Sequence, residues 1–276
     1  MPPRSRPMRV PFRKMHGLGN DFVVIDGRAT PLALSPARAA ALADRHTGIG
    51  CDQLIVMEPS AVADVKMRIF NPDGSEVGAC GNASRAVGLL LGGSNRIETL
   101  GGLIHARAAD HGIAVDMGAP RFDWDAIPLA YAMDTLAMPV GWEDLQAPVA
   151  VNVGNPHAVF FVPDADAVDL GRLGPLIETD PLFPERVNVN VASLAGPDHL
   201  RLRVWERGAG LTRACGTGAC ATAVAAMRRK LTGRTVRVDL PGGTLAIDWP
   251  EGGTITMTGP AATSFEGTFE DADFPL

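Results

Sequence analysis

Two cysteines stand in closely similar surroundings at distant points of the sequence. Cys80 lies in Gly-Ala-Cys-Gly-Asn-Ala-Ser-Arg (78–85) and Cys215 in Arg-Ala-Cys-Gly-Thr-Gly-Ala-Cys (213–220). Each is followed by small residues and then an apolar run, which predicts a cysteine at the entry to a buried helix. The free N–H groups and positive dipole end of a helix N-terminus favour thiolate formation. We therefore expect thiols that ionise near neutral pH.

The two cysteine segments belong to an internal repeat with an offset of 135 residues. The same offset relates turn and strand-end residues of similar type: Gly19-Asn20 with Gly154-Asn155, Gln53 with Asn188, and Arg68 to Asn71 with Arg203 to Glu206. Chance does not readily produce one offset at several separate polar sites. The repeat predicts two similar halves, related by a pseudo-twofold axis, that face each other across a cleft.

Opposed thiols of this kind suit the inversion of a carbon centre. One cysteine removes the α-proton from one face, and the other delivers a proton to the opposite face. The resulting carbanion needs stabilisation, which backbone N–H groups at Gly81-Asn82 and Gly216-Thr217 can supply through the substrate carboxylate. The sequence thus predicts a reaction that uses a base and an acid at once.

Several polar residues are candidates for binding the substrate of such a reaction. Amide side chains bind ammonium or carboxylate groups without adding net charge, and the candidates are Asn20, Gln53, Asn71, Asn155 and Asn188. The adjacent Glu206-Arg207 suits a second zwitterionic group. His157 is placed to tune the pKa of one thiol. Cys51 and Cys220 are interpreted as small buried residues.

Composition narrows the classes of partner and compartment. A chain of 276 residues with net charge −6 and a pI near 5.5 argues against nucleic-acid or anionic-membrane partners. The start, Met1 to Lys14, lacks the apolar core of a secretory signal and is expected to be a frayed tail. The four cysteines have neither zinc-ligand nor disulfide-scaffold spacing, which indicates a reduced, cytoplasmic protein without a metal.

Cofactor chemistry is also disfavoured by the sequence. Its only lysines are Lys14, Lys66 and Lys230, and none lies beside a glycine-rich phosphate loop. A pyridoxal-phosphate enzyme needs such a lysine for its Schiff base. Neither a dinucleotide-binding glycine motif after a strand nor a Walker loop occurs. We expect no cofactor.

Many short strands with one long helix in each half predict an α+β fold. Each half is expected to be a mostly antiparallel sheet or barrel wrapped around a central helix, with the active site in the cleft. Residues 1–123 with 265–276 form the predicted half that carries Cys80, and residues 124–264 form the other. A helix is predicted from Ser35 to Arg45, with Ser35 as its N-cap. Pro120 to Pro148 is interpreted as a crossover segment.

At this point the residues resemble a known family, diaminopimelate epimerase. The resemblance runs from about Phe12 to about Phe265. It is carried by Met15-His16-Gly17-Leu18-Gly19-Asn20-Asp21-Phe22, Asn71-Pro72-Asp73-Gly74-Ser75-Glu76, Ala79-Cys80-Gly81-Asn82, Gly154-Asn155-Pro156-His157, Glu206-Arg207-Gly208-Ala209-Gly210 and Ala214-Cys215-Gly216-Thr217-Gly218.

This resemblance implies a pyridoxal-independent homodimeric epimerase that interconverts LL- and meso-diaminopimelate and closes around its substrate. Cys80 and Cys215 match the family's acid/base pair, and His157 and Glu206 match residues thought to tune the thiols. The positions that match its substrate contacts are Asn20, Gln53, Asn71, Gly81, Asn82, Asn155, Asn188, Glu206, Arg207, Gly216 and Thr217.

The sequence departs from the family pattern at a few positions. Ala83 follows Gly81-Asn82 where the family usually has Gly. Leu211 replaces a common acidic residue, and Asn190 stands where Glu or Gly is familiar, changes expected to affect the electrostatics of the site's rim. Phe265 replaces a Tyr linked to dimerisation.

Other functions remain open at this level. The nearest is a proline or hydroxyproline racemase that uses two cysteines, although such a substrate has no evident use for Glu206-Arg207. A thiol–disulfide oxidoreductase needs a resolving cysteine close in sequence, and the spacing from Cys215 to Cys220 suits it poorly. An isomerase with a carboxylate base and a binding protein for a diamino dicarboxylic acid both leave the paired thiols unexplained.

Overall fold

The structure is a computed structural model that describes residues 8–78 and 80–276. The chain forms two compact units. Unit 1 runs to Ile113 and resumes at Pro260, and unit 2 comprises Ala114–Gly259. Most of the regular structure in both units is β-sheet.

Unit 1 begins with a series of strands interrupted by two helices. In chain order these elements are β1 (Arg9–Gly17), β2 (Asn20–Asp26), α1 (Pro36–Ala43), β3 (Gln53–Glu58), β4 (Val65–Phe70), β5 (Glu76–Val77), α2 (Gly81–Leu91), β6 (Ser94–Thr99) and β7 (Gly102–Ala109), and β8 (Gly112–Asp116) spans the boundary to unit 2.

Unit 2 repeats this order after a short two-stranded hairpin. Its elements are β9 (Gly141–Trp142), β10 (Leu145–Gln146), β11 (Val149–Asn152), β12 (Pro156–Phe161), α3 (Leu170–Glu178), β13 (Asn188–Gly196), β14 (His199–Glu206), β15 (Gly210–Thr212), α4 (Gly216–Arg228), β16 (Thr235–Leu240), β17 (Gly243–Asp248) and β18 (Thr256–Gly259). The chain returns to unit 1 as β19 (Ala262–Glu270) and a 3₁₀ turn (Asp271–Asp273).

The two units share one topology and one strand register. In unit 1, β2 and β3 are parallel around α1, and β4 and β6 are parallel around α2. In unit 2, β12 and β13 are parallel around α3, and β14 and β16 around α4. The pairs Phe22↔Gln53 and His157↔Asn188 differ by 135 residues at both positions. The predicted repeat and α+β class are confirmed.

The central helices of both units begin with small residues. In α4, every residue from Gly218 to Met227 is buried, and the helix packs against strands on several sides. In α2, burial extends from Gly81 to Gly88. Alanine and glycine let the backbones approach closely, so the strands of each unit wrap around the helix N-terminus. This packing buries Cys215 at the start of α4, whereas Cys80 at the start of α2 is half-buried.

A tight hairpin sets the position of Asn20. The β1–β2 register pairs Gly17 with Asn20, and the turn residues Leu18 and Gly19 have φ of +58° and +89°. Two residues in the left-handed region match the right-handed twist of the flanking strands. The turn makes Asn20 the first residue of β2.

Some local predictions were wrong. The frayed tail is incorrect for residues 9–14, because β1 pairs with β19 from Arg9↔Glu270 onward, while residues 1–7 lie outside the described residues. Helix α1 is capped by Ser35 as predicted but ends at Ala43. The interpretation of 120–148 as a crossover overlooked its packing: this segment adds Ile127, Leu129, Met138 and Leu145 to the core of unit 2.

Helix α3 was not predicted at all. Its sequence, Leu-Gly-Arg-Leu-Gly-Pro-Leu-Ile-Glu, contains two glycines and Pro175, which locally disfavour a helix. The Asp169 side chain caps it by accepting a hydrogen bond from the Arg172 N–H, and Leu170, Leu173 and Ile177 are buried. The repeat could have revealed this helix, since α1 shifted by 135 residues falls on it.

Candidate active site

Cys80 is the N-cap residue of α2, as predicted. Its backbone is extended, with φ −150° and ψ 112°, and its Sγ accepts a hydrogen bond from the Ala83 N–H at 3.4 Å. The Cys80 carbonyl accepts the Ser84 N–H and Oγ, both at 2.9 Å. Because an N-cap side chain faces the unpaired N–H groups of the first turn, the sulfur points along the axis of the helix dipole. Gly81 and Asn82 are the first two helical residues.

Cys215 has the same place at the start of α4. Its Sγ accepts a hydrogen bond from the Gly218 N–H at 3.3 Å and lies 3.5 Å from the Thr217 hydroxyl. Gly216 is the first helical residue, and the thiol is more buried than that of Cys80, with 3% of Cys215 exposed. The two N-cap sites are therefore locally equivalent, one in each unit.

Burial changes the expected ionisation of Cys215. Desolvation raises the pKa of this thiol well above its ordinary value, and the negative charge of Glu206 raises it further. Hydrogen bonds from Thr217 and the Gly218 N–H oppose this rise but do not cancel it. The prediction of a thiol that ionises near neutral pH is wrong for Cys215, which is a protonated thiol in this structure.

Within unit 1, the candidate amides form two contacting pairs. Asn82, at the start of α2, donates from Nδ2 to the Asn20 Oδ1 at 3.0 Å, which links the helix N-terminus to β2. Gln53 begins β3 and Asn71 directly follows β4, and their side chains lie 3.4 Å apart. The strand register thus brings Asn20 to the first turn of the Cys80 helix and joins Gln53 to Asn71.

An ionic network supports Asn20, and sequence reasoning missed it. Asp52 Oδ2 accepts hydrogen bonds from Asn20 Nδ2 and from the Asp21 N–H, both at 3.0 Å. Arg45 bridges Asp21 and Asp52, and Lys14 pairs with Asp21. Burial opposes ionisation of Asp21, but the Arg45 and Lys14 contacts outweigh it and lower its pKa to about 2. These charges fix the orientation of the Asn20 amide.

Within unit 2, His157 connects two amides. Its Nε2 lies 2.9 Å from Asn155 Oδ1, and its Nδ1 lies 3.0 Å from Asn190 Nδ2. The ring is fully buried, and desolvation lowers its pKa to about 3. The neutral ring therefore accepts at Nδ1 and donates from Nε2. Asn190 is 0% exposed, so the expectation that it affects the rim is wrong.

The Glu206-Arg207 turn is anchored by Asn188. Asn188 is buried at the start of β13; its Oδ1 accepts the Arg207 N–H at 3.0 Å, and its Nδ2 donates to the Pro156 carbonyl at 2.8 Å. Glu206 Oε1 accepts a hydrogen bond from the Thr212 hydroxyl at 2.5 Å. Arg207 is exposed and donates to the Glu185 carbonyl at 2.9 Å. Glu206 also lies close enough to Cys215 for its charge to act on the thiol.

The remaining cysteines behave as structural residues. Cys51 is buried, and desolvation raises its pKa to about 11. Cys220 is fully buried inside α4. Among residues 8–78 and 80–276, no group of three or more His, Cys, Asp and Glu side chains is arranged to hold a metal ion. No helix in the described part of the chain has the length and apolar character to cross a membrane.

Comparison with solved structures identifies the fold class first. The chain shares its fold with a phenazine biosynthesis protein of the PhzF family from Enterococcus faecalis (TM-score 0.71, 15% identity, covering 95% of this chain and 99% of that one). It also shares it with a hydroxyproline epimerase from Agrobacterium vitis (TM-score 0.66, 17% identity, 95% and 92% covered). At these identities the likeness concerns the fold alone.

Sequence comparison then identifies the family. The Diaminopimelate epimerase family profile matches residues 12–122 and 149–264. A diaminopimelate epimerase from Erythrobacter litoralis (strain HTCC2594) is 68% identical over 268 residues, covering 97% of this chain and all of the relative. The chain belongs to the diaminopimelate epimerase family, a family of isomerases, as its motifs predicted.

Proposed function

We propose that this protein is a cofactor-independent epimerase that interconverts LL- and meso-2,6-diaminopimelate through Cys80 and Cys215. The observation that carries the proposal is the pair of N-cap thiols on α2 and α4, two helices in equivalent places of a repeated topology. A relative that bears the name of this activity is 68% identical over nearly the whole chain, which supports the choice of substrate.

The reaction is a transfer of two protons. A thiolate removes the α-proton of the substrate and becomes a thiol. The electron pair of the broken C–H bond stays on the α-carbon, which becomes a carbanion conjugated with the carboxylate. The second cysteine then gives its thiol proton to the opposite face of the carbon. After the reaction the first cysteine is a thiol and the second is a thiolate, and the reverse reaction restores the starting protonation of both. The raised pKa of Cys215 favours its protonated form, in which it can donate a proton to the carbanion.

Backbone and amide groups supply the stabilisation that a weak carbon acid requires. The N–H groups at Gly81-Asn82 and Gly216-Thr217 lie at positive helix ends, where carboxylate charge is stabilised. Asn20, Gln53, Asn71, Asn155 and Asn188 contact the remaining polar groups of the substrate. In this proposal, His157 acts on a thiol only indirectly, because both ring nitrogens bind amides.

Glu206 and Arg207 favour diaminopimelate over a proline-type substrate. Diaminopimelate carries a second ammonium and a second carboxylate at its distal carbon, and an adjacent acid and base bind such a pair. Arg207 is exposed and has its backbone fixed by Asn188, so its guanidinium is presented for binding. Proline and hydroxyproline lack the distal pair.

The proposal is tested by proton exchange and epimerisation together. Reduced protein incubated with LL-diaminopimelate in D2O is expected to produce the meso isomer with deuterium at the inverted carbon. Trans-4-hydroxy-L-proline, tested in parallel, is expected to stay unlabelled. Cys80→Ala and Cys215→Ala are each expected to abolish epimerisation. Normal turnover by either variant, or labelling of hydroxyproline alone, contradicts the proposal.

The same proposal includes a homodimer that acts in the cytoplasm and requires neither a metal nor pyridoxal phosphate. Phe265 on β19 is 52% exposed, and most other residues of that strand are also exposed. This exposure supports the strand as a dimer contact. Sedimentation velocity is expected to give twice the mass of one chain, and the Phe265→Asp variant is expected to sediment with the mass of a single chain.

The absence of a metal and of pyridoxal phosphate is tested by inhibitors. Activity that survives EDTA and carbonyl reagents agrees with the proposal, and loss of activity contradicts it. The net charge of −6 disfavours nucleic-acid and membrane partners.

A further inference from the structure

Glu178, the last residue of α3, is a buried carboxylate that sequence reasoning did not identify. Its side chain is 7% exposed. Oε2 accepts a hydrogen bond from the indole Nε1 of Trp205 at 2.7 Å, and Oε1 accepts one from the Gly208 N–H at 3.0 Å. The Arg186 guanidinium lies 3.5 Å from Oε1. Both carboxylate oxygens are thus engaged, and buried charges need such partners.

These bonds hold the chain on both sides of Glu206 and Arg207. Trp205 directly precedes this pair and Gly208 directly follows it. The indole ring is also confined by glycines: a Cβ added to Gly174 would lie 2.5 Å from the ring, and one added to Gly210 would lie 3.5 Å from it. The four-residue segment 205–208 is therefore fixed at both ends.

Unit 1 shows that the fold itself does not require this carboxylate. The residues that correspond to Glu178 and Trp205 through the repeat are Ala43 and Phe70, and both are buried. Both pairs lie at the same points of the shared topology, at the end of the first helix and near the end of the following antiparallel strand. An apolar pair thus satisfies the packing, and the costly buried charge in unit 2 has another reason.

We propose that Glu178 is a positioning residue for the reaction, which through Trp205 and Gly208 fixes Glu206 against the Cys215 thiol and Arg207 for the substrate. This inference rests on the proposed function. It assigns Glu178 no contact with the reacting atoms. The proposal explains why unit 2, which carries Glu206-Arg207, has a carboxylate at position 178, whereas unit 1 has Ala43 at the corresponding position.

The test uses Glu178→Gln, which keeps the shape of the side chain. The oxygen of the introduced glutamine amide can accept a hydrogen bond from either Gly208 or Trp205. Its NH₂ group then faces the other N–H donor and cannot accept from it, so one end of segment 205–208 is released. We expect kcat/KM for LL-diaminopimelate to fall about tenfold to a hundredfold, with KM raised because Arg207 is displaced. We also expect Cys215 to be alkylated at lower pH, since Glu206 moves away from the thiol.

A matched control lies two residues along the chain. Asp180 also binds an indole, accepting the Trp142 Nε1 at 3.0 Å and the Leu182 N–H at 2.8 Å. Asp180→Asn breaks the same kind of contact away from the Glu206-Arg207 turn. It is expected to lower thermal stability while leaving KM and the alkylation profile of Cys215 unchanged.

A double variant distinguishes a positioning role of Glu178 from a general loss of stability. In Glu178→Gln/Trp205→Phe the Gln amide no longer faces the indole donor, so its oxygen can bind Gly208. The kcat/KM of the double variant is expected to lie within about threefold of that of Trp205→Phe alone, so that the two losses are not additive. Additive losses, or a normal KM and Cys215 profile in Glu178→Gln, overturn the inference. An inactive wild-type enzyme overturns the proposed function instead, and the alkylation readout still tests the placement of Glu206.

Discussion

At the residue scale, Cys215 shows that the N-cap position alone does not set the ionisation of a thiol. The Gly218 N–H and the Thr217 hydroxyl both bind its sulfur and favour the thiolate. Desolvation and the nearby Glu206 charge act in the opposite direction and outweigh them. A raised pKa suits a residue that must deliver a proton to a carbanion.

Removing the Glu206 charge is therefore expected to lower the pKa of Cys215. Glu206→Gln retains the shape of the side chain and removes the repulsion of the thiolate. The measurement is the rate of Cys215 alkylation by iodoacetamide as a function of pH, read by peptide mass spectrometry. Its midpoint is expected to shift to lower pH. Cys51, whose pKa is raised to about 11 mainly by burial, provides the internal control and is expected not to move. An unchanged Cys215 midpoint contradicts this account.

His157 is expected to make the fold sensitive to acid. Its pKa is about 3 when folded, against about 6.5 in an unfolded chain, so only the unfolded state gains a proton as the pH falls through 6.5. Stability attributable to this residue therefore decreases toward low pH, by about 2 kcal/mol between about pH 8 and about pH 5.

This acid sensitivity is measured by urea unfolding of the wild type and His157→Gln at both pH values. Glutamine can bridge Asn155 and Asn190 but does not titrate. The stability advantage of the wild type over the variant is expected to shrink by that amount at the lower pH. If the difference between the two proteins is the same at both pH values, His157 is not held neutral by burial.

At the element scale, the first turns of α2 and α4 differ in the residue whose N–H binds the cysteine sulfur. Gly218 and Ala83 correspond through the repeat, and each donates its N–H to the cysteine sulfur. A Cβ on Gly218 would lie 3.1 to 3.2 Å from Val204 Cγ2, Asn190 Oδ1 and the Cys215 Sγ itself. The α4 turn is thus packed too tightly for a methyl group that α2 accommodates.

Gly218→Ala is consequently expected to separate stability from activity. Alanine favours the helix by about 1 kcal/mol over glycine, which offsets part of the packing strain. The thiol, however, must move, and kcat is expected to fall at least about tenfold. Ala83→Gly, the reverse change in α2, is expected to lower the melting temperature and to keep kcat within about threefold. Wild-type kcat in Gly218→Ala would show that the contact does not position Cys215.

At the scale of the whole molecule, unit 2 replaces buried apolar residues of unit 1 by residues that carry polar groups. His157, Glu178, Asn190 and Trp205 correspond to Phe22, Ala43, Ile55 and Phe70, and the latter four are all buried. The same topology is therefore filled in two ways. Unit 1 supports its candidate site with the Lys14, Asp21, Arg45 and Asp52 network instead.

Unit 1 also depends on both ends of the chain. Strand β1 pairs with β19 from Arg9↔Glu270 to His16↔Ala262, and the Phe12 and Phe265 rings pack edge to face with centroids 6.1 Å apart. Deleting residues 260–276 is expected to unfold unit 1, because β1 loses one of its two partner strands and Phe12 loses the Phe265 ring that packs against it. Hydrogen exchange should then show loss of protection in α2.

A circular permutant is the matched control for this truncation. A flexible linker joins Leu276 to Met8, and new termini open in the turn between Glu251 and Gly252. This chain keeps β19 beside β1 and is expected to retain protection in α2. Retained protection in the truncated chain, or loss of it in the permutant, contradicts the role assigned to β19.

The sequence by itself determined the repeat, the α+β class, the N-cap cysteines and the set of candidate residues. These follow from local patterns: small residues before an apolar run, glycine turns and a constant offset. Local patterns failed where tertiary packing overrode propensity. Helix α3 forms despite two glycines and Pro175, because its apolar face is buried in unit 2.

Only the tertiary structure decided the electrostatics of the candidate site. Desolvation depends on what surrounds a group in space, so the raised pKa of Cys215 and the lowered pKa of His157 have no signature in the sequence. The same holds for Glu178, which meets Trp205 and Gly208 across 27 and 30 residues. Chemistry-bearing residue types can be recognised in one dimension, whereas their protonation and positioning depend on contacts between distant segments.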